Sequence, residues 1–162
     1  YPGSFDPPTN GHLDIMRRAS EIFDQLEVVI ADNSQKRYLF SAAERFEMIT
    51  NMVAELPNVE VTTWQGLIVD FAHKVGARVI VRGVRALSDF DYEFELSLMN
   101  RVLNPKIETL FMPTDQKYFV LRSSGIKELA LFGGDISDMV PPIVERYVRA
   151  KIKPAARRDA EG

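Results

Sequence analysis

The sequence has 162 residues, the length of one domain, and is 46% hydrophobic and 27% charged, a balance rich enough in Val, Ile, Leu and Phe to bury the core of a soluble globular protein. A net charge of −3 argues against a nucleic-acid partner, which draws a basic excess, and runs such as Val28-Val29-Ile30-Ala31 fall far below the roughly 18 apolar residues that cross a bilayer. The absence of cysteine and of a signal-like opening points to a cytoplasmic chain without a disulfide framework.

In chain order, the sequence starts without Met at Tyr1-Pro2-Gly3, a fragment of an extended segment, and a few upstream residues are expected to complete a first strand. Over residues 11–23, Ile15, Met16, Ala19, Ile22 and Phe23 share one helical face. A β-branched apolar run at 26–31 has the length of a buried strand. Ser41 with Glu44 forms a capping box for a helix to about residue 56. A strand at 59–64, a short helix at 66–75 and a strand at 77–82 follow. Ser88 with Asp91 can cap a helix to about residue 103, ahead of a strand at 107–112. Ser123 or Ser124 can cap a helix to about residue 132, and a last helix follows Pro141-Pro142 to near Lys153. Residues 153–162 read as a frayed tail on a single domain spanning 1–162. Strands alternating with helices predict a doubly wound, Rossmann-like α/β fold: a parallel five-stranded sheet with helices on both faces. Such sheets bind ligands beyond the carboxyl ends of their strands.

Phosphate-friendly groups fall at that edge. His12 opens the first helix in phase with Met16, Ala19 and Phe23, where free N–H groups and the helix dipole favour an anion and a neutral imidazole. Taken alone, the ring serves as well as a structural cap, and His73 reads as a surface residue. Arg82 and Arg85 follow the apolar strand run 77–81, so both guanidinium forks would leave the sheet at its ligand edge; answering Asp89, Asp91 or Glu93 is the alternative. Lys36 sits in the polar loop 33–37, as a ligand cation or a solvated lysine. Ser123 and Ser124, with Lys127 in the following turn, make a second helix start suited to an anion, or plain caps. Four elements converging on one edge, with cations clustered there, suit a nucleotide better than a long polyanion. No P-loop, no Gly-x-Gly-x-x-Gly fingerprint, no structural metal spacing and no Gly-x-Ser-x-Gly elbow occurs.

Three motifs carry a resemblance. The stretch from Tyr1 to Pro7 with Thr9-Asn10-Gly11-His12 resembles the nucleotidyltransferase signature in the form used by bacterial phosphopantetheine adenylyltransferases. Arg82-Gly83-Val84-Arg85-Ala86, then Asp89-Phe90-Asp91-Tyr92-Glu93 and Met99-Asn100-Arg101, is similar to that family's middle motif, and Ser123-Ser124 with Lys127-Glu128 to its late serine motif. The likeness runs from Tyr1 to about Ile152.

The resemblance implies reversible adenylyl transfer from ATP to 4′-phosphopantetheine, giving dephospho-coenzyme A and pyrophosphate in coenzyme A biosynthesis. It implies Mg²⁺ held mostly by the triphosphate and water, a homohexamer, and sensitivity to coenzyme A. As ATP-binding positions it implies Ser4, Phe5, His12, Gly83, Val84, Arg85, Glu93 and the run Tyr118, Phe119, Val120, Leu121, Arg122, Ser123, Ser124. As acceptor-binding positions it implies Ser4, Lys36, Ile68 and Arg82, with His12 and Lys36 as the catalytic pair. Arg122 departs from the family, which usually has a serine there, and Gly125 replaces a larger apolar residue. Two rivals stand beside this reading: a sister nucleotidyltransferase using nicotinate mononucleotide or glycerol phosphate, and a nucleotide sensor without turnover.

Overall fold

A computed structural model describes residues 1–153; residues 154–162, most of the expected tail, lie outside the described residues. The strands are β1 (Pro2–Gly3), β2 (Leu26–Ala31), β3 (Val59–Trp64), β4 (Val79–Val84) and β5 (Glu108–Pro113). The helices are α1 (Asn10–Ile22), α2 (Ala42–Met52), α3 (Ile68–Lys74), α4 (Leu87–Leu103), α5 (Ser123–Leu131) and α6 (Pro142–Lys151), with a 3-10 turn at Gln116–Tyr118 before α5. None of these helices is long and apolar enough to cross a membrane.

All pairing is parallel, as the alternation of elements predicts. The hydrogen-bonded strands form two ladders, β1-β2-β3 and β4-β5, where the sequence predicts one five-stranded sheet. β1 has only two residues, aligned with β2 as Pro2 with Val29 and Gly3 with Ile30. Pro2 has no N–H to offer β4, and its carbonyl accepts instead from Arg82 Nη1 at 2.8 Å, so β1 lies beside β4 without a ladder. One core still joins both ladders: Ile15, Met16 and Ala19 of α1 pack with Val28 and Ile30 of β2, Val81 of β4 and Met112 of β5. Each buried Ile, Val or Met among them contributes about 1.5–3 kcal/mol, so α1 is the common wedge. A second cluster, with Met48, Ile126, Val144 and Val148, fastens α2, α5 and α6; a third packs Val69 and Ala72 of α3 on Ile80 of β4.

Several boundaries differ from expectation for local reasons. β4 starts two residues late because Ala77 N–H closes the turn after α3 onto Ala72 O at 2.8 Å, around Gly76 at φ 71°. Arg82, Gly83 and Val84 therefore lie inside the strand, and only Arg85 leaves it. α4 is not capped at Ser88: Asp89 and Phe90 N–H both bond Ala86 O at 3.1 Å, which makes Ala86 the N-cap. Neither Ser123 nor Ser124 caps α5; Ile126 N–H bonds Arg122 O at 3.0 Å, so Arg122 holds that position. The capping box of Ser41 and Glu44 forms as expected, but α2 stops at Met52 in a turn where Leu56 N–H bonds Val53 O.

Candidate active site

The loop from β1 to α1 is held from inside. Phe5 takes φ 49°, a region a bulky side chain adopts only when packing over-determines it, and its ring is 2% exposed, edge-on to Tyr1 and His12. Only glycine fits at position 3, because a Cβ there would sit 2.7 Å from the Phe5 ring. Asp6, nearly buried, accepts from the N–H groups of Leu39 and Phe40 and from Lys127 Nζ at 2.9–3.0 Å. One carboxylate thus ties the first loop to the chain entering α2 and to α5.

His12 is the third residue of α1, and Thr9 is its N-cap. Thr9 N–H donates to His12 Nδ1 at 3.0 Å, and His12 N–H donates to Thr9 Oγ1 at 3.3 Å, so the ring plays the part usually taken by Glu in a capping box. That bond assigns the neutral ring's proton to Nε2, leaving Nε2–H as the available donor. Burial against Phe5, then the charges of Arg85 and Arg82, push the His12 pKa down to about 4. The cap and the chemical role, alternatives in the sequence, are one arrangement: capping fixes the tautomer that can donate.

A cleft of about 400 Å³ opens at His12. Ser4, Phe5 and Gly83 line it, as do Arg85, Glu93, Leu121, Arg122, Ser123 and Ser124, all expected there from the sequence. The other expected positions do not reach it: Val84 stays in β4, Tyr118 packs over Gly11, and Phe119 and Val120 are exposed. Arg82 grips Glu93 in a bidentate fork, Nε to Oε2 at 2.6 Å and Nη2 to Oε1 at 2.5 Å. Arg85 Nε donates to Asp89 at 2.9 Å and its Nη1 to Leu121 O at 2.8 Å. Each guanidinium is anchored from the protein side and keeps N–H groups for an anion. Ser123 Oγ donates to Pro7 O at 2.8 Å, which fastens the start of α5 to the first loop.

A second cleft, of about 560 Å³, shares the wall of Pro2, Gly3, Ser4 and Arg82 with the first. Lys36 and Ile68, the remaining expected positions, both line it. Lys36 is exposed and has no ion pair among the described residues. Beyond the sequence expectations, Trp64, Gln65, Tyr38, Asp32 and Tyr92 also line this cleft. Behind it lies Arg45, fully buried in α2, which reasoning from the sequence passed over; Arg at a helical position in phase with Met48 and Ile49 was the signal.

Two cationic clefts that meet at one serine and one arginine suit two anionic ligands held side by side. No group of three His, Cys, Asp or Glu side chains among the described residues could hold a metal ion, and the carboxylates of the first cleft are engaged by its arginines. The donor set fits a divalent cation only as an ion carried on a ligand's own phosphates.

The cytidylyltransferase-like family matches residues 1–129. A phosphopantetheine adenylyltransferase of Desulforudis audaxviator (strain MP104C) is 50% identical over 151 residues, 93% of this chain and 93% of that protein. Another, from Clostridium tetani (strain Massachusetts / E88), is 55% identical over 141 residues, 87% of this chain and 88% of its own length. A third, from Desulfatibacillum aliphaticivorans, is 50% identical over 153 residues, covering 94% and 87% respectively. With half or more of its residues identical to theirs over most of its length, this chain belongs to the phosphopantetheine adenylyltransferases.

Proposed function

We propose that this chain transfers an adenylyl group from ATP to 4′-phosphopantetheine, releasing pyrophosphate and forming dephospho-coenzyme A. The observation that carries the reading is the pair of clefts meeting at Ser4 and Arg82, which supports a reading with ATP on the His12 side and the acceptor on the Lys36 side. Family membership supplies the substrate pair.

A phosphate monoester is largely dianionic at neutral pH, its second pKa being about 6, so its oxygen attacks without a general base. A bond forms from that oxygen to the α-phosphorus, the bond to the bridging oxygen breaks, and pyrophosphate leaves with the electron pair. The protein's task is alignment and charge neutralisation. His12 Nε2–H donates to the α-phosphate as charge grows, Lys36 to the attacking phosphate, Arg85 to the ATP phosphates, and Arg82 to the acceptor phosphate. Mg²⁺ bound to ATP's phosphate oxygens and water would neutralise charge on the leaving pyrophosphate.

The same reading takes β1 to β5 as one sheet in the order 3-2-1-4-5, supported by β1 lying beside β4, within one domain of the cytoplasm. It also makes the protein a homo-oligomer, a hexamer by family likeness. Along α4, Leu87, Leu98, Met99 and Val102 are 51–85% exposed, an apolar surface that fits contact with further copies. A light-scattering mass of one subunit would overturn that assembly.

Pyrophosphate release tests the substrate assignment. It is expected with ATP and 4′-phosphopantetheine and not with ATP and nicotinate mononucleotide; comparable rates would remove the assignment, and binding of ATP without release would favour a sensor.

A further inference from the structure

We propose that Arg45 is a positioning residue for adenylyl transfer, setting the stance of Lys36 and Ser4 from beneath the acceptor cleft. The proposal rests on the reading that Lys36 serves the acceptor phosphate. Arg45 has no exposed surface, and Lys36 lies on the solvent side of the loop between β2 and α2, so the two act through the backbone that joins them.

The contacts trace that path. Arg45 Nη1 donates to Ser4 O at 2.9 Å and approaches Ala31 O at 3.5 Å, and Nη2 donates to Asp32 Oδ1 at 2.5 Å. The guanidinium lies on the Tyr38 ring, 4.0 Å from its centroid. Tyr38 Oη accepts from Asn33 N–H at 3.1 Å and donates to Ala31 O at 3.4 Å, closing the ends of the loop on each other. Inside it, Gln35 N–H bonds Asn33 Oδ1 and Lys36 N–H bonds Asn33 O, both at 2.9 Å. Asp32 also accepts from Gln65 Nε2 at 3.0 Å, bringing in the segment after β3 that leads to Ile68. One buried cation thus ties the strand ends that carry Ser4, Lys36 and Ile68. The Gln65 bond and then the Arg45 bond hold the Asp32 carboxyl below its ordinary range, keeping it a charged anchor.

Stability is a poor explanation for this residue. A buried ion pair is often no more stable than apolar side chains of the same volume, and Arg45 Nε is buried with no partner at all. Its value lies in geometry: about 1 Å of misplacement at a reacting group can cost roughly 10²-fold in rate.

Steady-state kinetics of the intact protein test this, with acceptor and ATP varied in turn and rates normalised to folded protein. Arg45→Lys and Arg45→Met are expected to lower kcat/KM for 4′-phosphopantetheine by about 10- to 100-fold and to move KM for ATP by less, through Ser4 alone. Tyr38→Phe removes one loop closure and keeps the ring; it carries the test if the Arg45 variants do not fold, with an expected loss of roughly 2- to 10-fold in the same constant. Adding Arg45→Met to Lys36→Ala should cost less than the two losses combined, because both act on one contact. A purely structural Arg45 would reduce the yield of folded enzyme and leave both constants unchanged. Unchanged acceptor constants in Tyr38→Phe and the folded Arg45 variants, with Lys36→Ala impaired, would overturn the proposal. Normal acceptor kinetics in Lys36→Ala would instead overturn the reading on which it rests.

Discussion

His12 and Lys36 stand on either side of Ser4, yet the chain holds them in opposite ways. The His12 ring is fixed by Thr9, packed on Phe5 and flanked by two arginines anchored on Glu93 and Asp89. Lys36 is an exposed side chain on a loop fastened at its ends, with the buried Arg45 as the fixed point. The contrast matches what each side would be asked to do. Donors aimed at developing charge act best when no reorganisation is needed, which is what a cleft built in advance for an α-phosphate would supply. The acceptor's phosphate is an anion before, during and after attack; a cation on a tethered loop can follow it.

The largest expected effect breaks the built side. His12→Ala should lower kcat by about 10²-fold or more, the scale of losing one preorganised donor, while ATP affinity changes far less. Because His12 also closes the capping box, some stability goes with it; a helix cap is worth about 1 kcal/mol. Isothermal binding of ATP beside turnover separates the two. Equal losses in binding with an unchanged kcat would reduce His12 to a cap.

How far this contrast could be read in advance follows from where its causes lie. β2 and β3 fall at the expected residues because a β-branched run bounded by polar turns is a local signal. Arg82 was expected beyond its strand and lies within it, since the turn that delays β4 is closed by a bond from Ala77 to Ala72 that no periodicity announces. Asp6, bonding Leu39, Phe40 and Lys127, and Arg45, bonding Ser4 and Asp32, join positions far apart in the chain. Their partners are set by tertiary packing. The motifs thus reported many of the residues that gather at the edge, and only the fold reports what holds them.

A middle-sized effect tests the rim of the built side. Arg122 is exposed at the N-cap of α5, lines the His12 cleft and stands where the resemblance leads us to expect serine. If its guanidinium takes a β- or γ-phosphate, Arg122→Ser weakens ATP binding by roughly 10- to 100-fold, the equivalent of a charged hydrogen bond of about 1.5–3 kcal/mol. The loss should shrink with added salt, as it would for any contact made at an exposed rim. Unchanged ATP affinity in Arg122→Ser and Arg122→Ala would leave the late motif to Ser123, Ser124 and the helix start.

The smallest expected effect is a flat line, and its sign follows from burial. His12 is neutral in the native protein down to about pH 4, whereas in the unfolded chain it takes up a proton near its ordinary value of 6.5. Above pH 6.5 neither state binds that proton, so His12 adds no pH dependence to folding; between 6.5 and 4 only the unfolded state binds it, and stability falls as the pH is lowered. Turnover should show no His12 step from about pH 5 to 8, and any acid loss should follow the acceptor phosphate, whose second pKa is about 6. Arg85→Met sharpens the point. Burial is the leading cause of the depression and the Arg85 charge only the next, so removing that charge should raise the His12 pKa while leaving it below 6.5. Titrating the imidazole by NMR in both proteins reads the value directly. A ring in the wild type that protonates near 6.5 would mean that solvent reaches it, and the contrast between a built cleft and a tethered loop would be gone.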